Sequence, residues 1–127
     1  MLDKMMKSII DQDRASVVIC GLDHVIVYMN PAAVRNYEKR GGAALVGRSL
    51  MNCHNPESVK TIEKVVAWFK ESEANNMIHT FHNDKDNKDG YMVALRDENK
   101  NLIGYYEKHE YRNRESAEMY DFSRSLV

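Results

Sequence analysis

The only two prolines in the chain each follow an asparagine, at Asn30-Pro31 and Asn55-Pro56. Each pair is a helix-start signal. Asn caps the first free backbone N–H groups, and Pro presets φ at the first helical position, where its missing donor costs nothing. The two caps divide the chain into a β-rich opening, a helical middle and a β-rich close. Before the first cap, Ala15–Cys20 and His24–Met29 are β-branched runs joined by Gly21-Leu22-Asp23, a link short enough for a hairpin. After it, a helix is expected over Pro31–Arg40, stopping at Gly41-Gly42 with Lys39 and Arg40 at the negative end of its dipole. The second cap opens the clearest helix, Pro56–Glu73. There Val59, Ile62, Val66 and Phe69 form one apolar stripe, widened by Val65 and Trp68.

The last third reads as strands at Met77–His82, Tyr91–Arg96 and Leu102–Tyr111, separated by polar turns, which makes two hairpins in series. Two strands, a helical crossover and three strands give an α+β fold: one five-stranded antiparallel sheet with helices on one face. An extra helix precedes it. Residues 1–12 put Leu2, Met5, Met6, Ile9 and Ile10 on one stripe, and so short a helix needs a partner for that stripe, either the domain's own core or a second chain, of which a dimer contact is the expectation. The organisation is therefore a helix over 1–12, a domain over 13–111 and a polar tail over 112–127, with Met119, Tyr120 and Phe122 too sparse to define a face.

Composition narrows the function classes. At 127 residues the chain is one domain, and 18 basic against 19 acidic residues leave no electrostatic footprint for nucleic acid. No apolar run approaches the roughly 20 residues of a membrane helix, and residues 1–12 do not have the pattern expected of a signal peptide. Cys20 and Cys53 are too few for a disulfide scaffold or a four-thiolate metal site. The expectation is a cytoplasmic protein with reduced thiols.

The run Val17–Cys20, Leu22-Asp23 and Val25–Ala33 resembles the opening of a PAS domain: strand, Asp-containing turn, strand, then an Asn-x-Ala helix start. Leu45–Leu50 resembles the middle loop of that family, and Ala94–Asn99 with Leu102–Tyr105 its closing hairpin. A narrower resemblance rests on Gly47-Arg48, Cys53-His54, Pro56, Ser58-Val59 and Arg96-Asp97-Glu98. It is to the PAS module attached to bacterial hemerythrin-like (HHE) domains, which usually carries Pro where this chain has Asn55. The resemblance implies a sensory, dimerising module with a cavity for heme, flavin or a small organic ligand.

The residues themselves discriminate among these. Aligned to the light-oxygen-voltage flavin loop, the reactive cysteine falls on Leu50, so a cysteine-adduct flavin is not expected. His54 has two readings: a heme axial ligand or pocket donor, or a loop side chain tied down by one hydrogen bond. Cys53 reads as a small buried hydrophobe. Strand alternation sends His79 and His82 to opposite faces, away from a shared metal. Asp84–Gly90 mimics a calcium loop, but Lys88 and Leu95 occupy ligand positions. No catalytic triad, phosphate loop or dinucleotide fingerprint appears, so no enzyme is expected.

The reading that results is a stand-alone PAS sensory domain that binds a small molecule between sheet and helices and signals through a homodimer to a downstream protein. The pocket is expected to be lined by Cys53, His54, Val59, Ile62, Val66, Tyr91, Val93 and Tyr106, the last three following from the choice of one strand face. Two alternatives stand beside it: a ligand-free interaction module with a filled core, and a heme-binding gas or redox sensor using His54.

Overall fold

The computed structural model describes residues 1–121 and 123. Phe122, one of the three residues singled out in the expected tail, lies outside the described residues. The elements are α1 (Leu2–Gln12), β1 (Ser16–Gly21), β2 (Ile26–Met29), α2 (Pro31–Asn36), α3 (Pro56–Glu71), β3 (Met77–Asn83), β4 (Lys88–Arg96) and β5 (Leu102–Tyr111). Three short 3-10 turns, at Glu38–Arg40, Gly42–Leu45 and Leu50–Cys53, fill the stretch between α2 and α3. The strands form the expected single antiparallel sheet, in the order β2-β1-β5-β4-β3.

Both Asn-Pro signals act as caps. The Asn30 side chain accepts from Ala33 N and the Asn55 side chain from Ser58 N, with Pro at the first helical turn in each case. Buried at 0% exposure, Asn30 also accepts from Val17 N and donates through Nδ2 to Ile10 O and Ala15 O. One side chain thus ties α1, β1 and α2 together.

The expected helix over 31–40 breaks at Tyr37, which leaves helical geometry (φ −103°, ψ 17°) and turns its ring into the core. Only a 3-10 turn follows before the left-handed Gly41 and Gly42. The second strand starts at Ile26 instead of His24, because His24 adopts a positive φ of 67° in the hairpin turn.

One face of the sheet carries the core. Val18, Cys20, Ile26, Met29, Met92 and Tyr105 pack against Ile62, Val65, Val66 and Phe69 of α3 and against Leu45, Leu50 and Cys53 of the connecting turns. Helix α1 stays outside this core and buries no residue.

The end of α3 is held from across the fold. Arg96 Nη2 donates to the Phe69, Ser72 and Asn75 carbonyls at 2.7, 3.1 and 3.3 Å, Nε donates to Asn76 Oδ1 at 2.7 Å, and Nη1 donates to Lys100 O at 3.2 Å.

The register of β3 shifts between His79 and Phe81: His79 pairs with Tyr91 and Phe81 with Gly90, which leaves Thr80 as a bulge. This overturns the alternation argument for the two histidines. His79 Nε2 and His82 Nδ1 both reach Asp89 Oδ1, at 2.9 and 2.8 Å, because the extra residue resets the pleat. Among the described residues, no group of three or more His, Cys, Asp or Glu is placed to hold a metal ion. No helix among them is long and apolar enough to cross a membrane.

Candidate functional site

At the centre of the core face lies a carboxylate. Glu107 on β5 pairs with Val18 on one side and Met92 on the other, and it is only 6% exposed. A charge buried this deeply must be compensated. The Tyr37 hydroxyl donates to Glu107 Oε1 at 2.5 Å, which is what draws Tyr37 out of α2. His109 Nε2 stands 3.6 Å from Oε1, and His54 Nε2 stands 3.4 Å from Oε2.

The protonation of His54 follows from its contacts. Nδ1 faces the Leu50 carbonyl at 2.9 Å while Nε2 faces the carboxylate, so both ring nitrogens meet acceptors and both carry hydrogen. Burial opposes that charge, but the contacts with Cys53 and the Glu107 carboxylate outweigh it and raise the His54 pKa to about 10. Glu107 is the mirror case: burial would raise its pKa, and His109 and His54 instead hold it well below the carboxylate range. Burial and the Glu107 charge push the Tyr37 hydroxyl far up, so it remains a donor.

Above Glu107 a pocket of about 200 Å3 opens between sheet and helix. Its floor is Glu107, His54 and Met92. Glu57, Ser58 and Thr61 from the first two turns of α3 form one wall, and Thr80 and Phe81 of β3 form the other. The bulge aims Thr80 and Phe81 at the pocket, a use of bulges that recurs near sites. Phe81 lies across Gly90: a Cβ there would sit 2.1–2.7 Å from three of its ring atoms. Gly90→Ala is therefore expected to evict the ring, at a net cost of about 1–2 kcal/mol because Ala also restricts the unfolded chain. Urea denaturation reads that cost, and loss of the edge-on Phe81–His109 contact (5.2 Å between centroids) reads the displacement by NMR. A Phe81 ring that stays in place in the variant would contradict it.

Of the eight expected pocket residues, His54 alone lines this pocket. Cys53 adjoins it but turns its thiol to the Leu50 carbonyl, 3.1 Å away. Ile62 and Val66 are buried in the core, and Val59 is half-buried on α3. Tyr91, Val93 and Tyr106 are on the far face of the sheet, one residue out of register with the inward Met92, Tyr105 and Glu107. Tyr91 there meets Lys108, Arg112 and His79. The sequence points to the opposite face because the outward positions of β4, Tyr91, Val93 and Leu95, are more apolar than the inward Gly90, Met92 and Ala94. Inward placement of Tyr105-Glu107-His109 was the available signal, since alternation forces any strand that buries Tyr105 to bury Glu107 as well.

A heme does not fit these residues. Both His54 nitrogens are engaged, and 200 Å3 is below even the roughly 300–1,000 Å3 of drug-sized ligand sites. A second, larger depression of about 470 Å3 lies between residues 13–15 and 110–116, where Arg14 and Glu115 already pair at 2.6 Å.

No protein-family model matches the chain, and no curated protein matches it by sequence. Solved structures do. The PAS domain of a protein from Colwellia psychrerythraea superposes with a TM-score of 0.66 at 14% identity, over 87% of this chain and 97% of that one. A sensory box sensor histidine kinase from Vibrio cholerae gives 0.54 at 16%, over 86% and 87%. An RNA-binding light-oxygen-voltage receptor gives 0.58 at 14%, over 87% of this chain but 32% of the receptor. At such identities the likeness assigns the fold, which is the PAS fold.

Proposed function

We propose that the chain is a non-catalytic PAS sensory module, which binds a small molecule in the pocket over Glu107 and signals through a homodimer to a downstream protein. The observation that carries this reading is the buried carboxylate under an open pocket. A fold selected only for stability would fill that place with apolar side chains, because a buried ion pair seldom exceeds a hydrophobic replacement in stability. The Glu107 cluster also joins the segments that would have to move. Tyr37 ends α2, His54 leads into α3, and Glu107 and His109 sit in the central strand. A ligand that prefers one arrangement of these groups shifts the population of the others. Native mass spectrometry with a UV-visible spectrum, on protein purified without added ligand, tests the reading. A bound small mass supports it, whereas an empty protein that no small molecule stabilises leaves an interaction module. The resemblance to modules attached to hemerythrin-like domains makes such a domain the first downstream partner to try.

The homodimer has its own support. The α1 stripe is uncovered, with Leu2, Met5, Met6 and Ile9 between 55% and 71% exposed. The far face of the sheet carries a second apolar band, one residue per strand: Tyr28, Ile19, Tyr106, Val93 and Met77 pair in sequence across all five. Within one chain α1 reaches the band at Tyr28, through Asp11 and Lys7 on its polar side. Helix α1 is pinned at the β2 edge by Tyr28 on Asp11, by Asn30 on Ile10 O and by Lys7 over the Tyr28 ring. An eleven-residue helix is about 16 Å long, and a five-strand row is about 19 Å wide. A second copy related by a twofold axis lays each helix on the other's sheet. Analytical ultracentrifugation of Ile9→Asp and, separately, Val93→Lys should show dimerisation weakened about 100-fold in each. A wild type that is monomeric at tens of micromolar would sink the dimer.

A further inference from the structure

Resting on that pocket reading, we propose that the ligand is a small organic ammonium whose nitrogen docks on Glu107 Oε2 in place of His54. The walls specify this class by what they offer. Oε1 is taken by the Tyr37 hydroxyl at 2.5 Å, but the nearest charged group to Oε2 is His54 Nε2 at 3.4 Å, beyond ordinary N–H···O range. A carboxylate has about four lone-pair positions, so Oε2 keeps acceptor capacity on the pocket side. The other acidic side chain on the wall is Glu57. No Lys or Arg lines the pocket, and the one basic side chain that does, His54, is bonded through Nδ1 to Leu50 O and faces Glu107 through Nε2. An anionic ligand would meet two acidic side chains, against one His54 ring whose counter-charge is already Glu107.

The rest of the surface suits the remainder of such a ligand. The Phe81 ring, held flat across Gly90, gives an aromatic face to a cation, and Met92 gives a polarizable apolar contact. Thr80 and Ser58 present hydroxyls that make no side-chain hydrogen bond among the described residues, so a hydroxylated body is accommodated as well. Size limits the class: at about 30 Å3 per water-sized volume, the space takes about six heavy atoms. An ammonium at hydrogen-bonding distance from Oε2 occupies the position that His54 Nε2 faces, so His54 and the turn before α3 are released when the ligand enters. The site thereby converts occupancy into movement of the segment that leads into α3.

The probes are isobutylammonium, the uncharged isobutanol and the anionic isobutyrate, three molecules of one shape. Each is titrated into 15N-labelled protein at pH 7, with backbone amides and the His54 ring resonances followed by NMR. Isobutylammonium is expected to give saturable shifts at Thr80, Phe81, Met92 and Glu107 together with a displaced His54 ring signal. Isobutanol should bind at least about tenfold more weakly, for want of a charge-assisted bond, and isobutyrate should leave these amides still. Thr61→Leu, an exposed helix position whose longer side chain plugs the rim, should abolish the response without touching the core. Equal or tighter binding of isobutanol or isobutyrate at the same amides would overturn the ammonium class and leave the pocket reading intact. Silence of those amides to all three probes would also overturn it, and the pocket reading would then be decided by the bound mass in native spectrometry.

Discussion

Alanine in place of Glu107 is expected to cost about 3–5 kcal/mol of folding stability by urea denaturation, the range found when one partner of a buried ion pair is removed. The loss is large because the change strands more than one group. The Tyr37 hydroxyl loses its acceptor at 2.5 Å, and the half-buried His54 imidazolium loses its counter-charge. Glu107→Gln keeps the volume and the Tyr37 bond, so it should recover part of the loss and separate packing from charge. Linkage supplies a second readout. The folded His54 value is raised to about 10 from 6.5, so its contribution is complete below pH 6.5 and is lost as the pH rises toward 10. The Glu107 value is lowered from 4.5, so its contribution is present above pH 4.5 and lost below it. Stability from the pair therefore peaks between those limits. From pH 6.5 to 8.5 the wild type should lose about 2–3 kcal/mol that His54→Asn does not lose. That window precedes Cys20, whose thiol burial pushes up to about 12 from 9 and which adds its own loss only above pH 9. Parallel pH profiles for wild type and His54→Asn would mean that His54 is not the charged partner.

Glu107 was also the residue the sequence concealed best. The order of elements could be read because each boundary has local chemistry: an Asn-Pro cap, a glycine pair, a hairpin turn. The site could not, because which face of β4 and β5 points inward is a tertiary decision. Counting apolar residues favours Tyr91, Val93 and Leu95, and the protein instead places that apolar set outside, in and around the band that we assign to a second copy. The bulge at Thr80 is equally silent in a one-letter reading, yet it brings His79 and His82 onto one Asp89 oxygen and turns Thr80 and Phe81 toward the pocket. His54 was visible because it stands beside a cap. Its partners were not, since they come from 17 residues upstream and 53 and 55 residues downstream, a separation only the folded sheet closes.

Arg96→Ala is expected to cost about 2–4 kcal/mol, although the site is far from the buried pair. The last carbonyls of a helix have no partner within it, and α3 ends at an extended Ser72 with no glycine to close it. Arg96 replaces that missing cap from another strand: its guanidinium collects the Phe69, Ser72 and Asn75 carbonyls while its other nitrogens fix Asn76 and Lys100. Several charge-assisted bonds from one planar fork are more than a lysine can reproduce, so Arg96→Lys should recover less than half of the loss. The effect reaches the pocket because α3 is one rigid element. Its C-terminal end is what Arg96 holds, and its N-terminal turns carry Glu57, Ser58 and Thr61 along the pocket wall. Hydrogen exchange should therefore rise at both ends of α3 in Arg96→Ala, whereas exchange that rises only near Ser72 would show that the wall is positioned by the sheet alone.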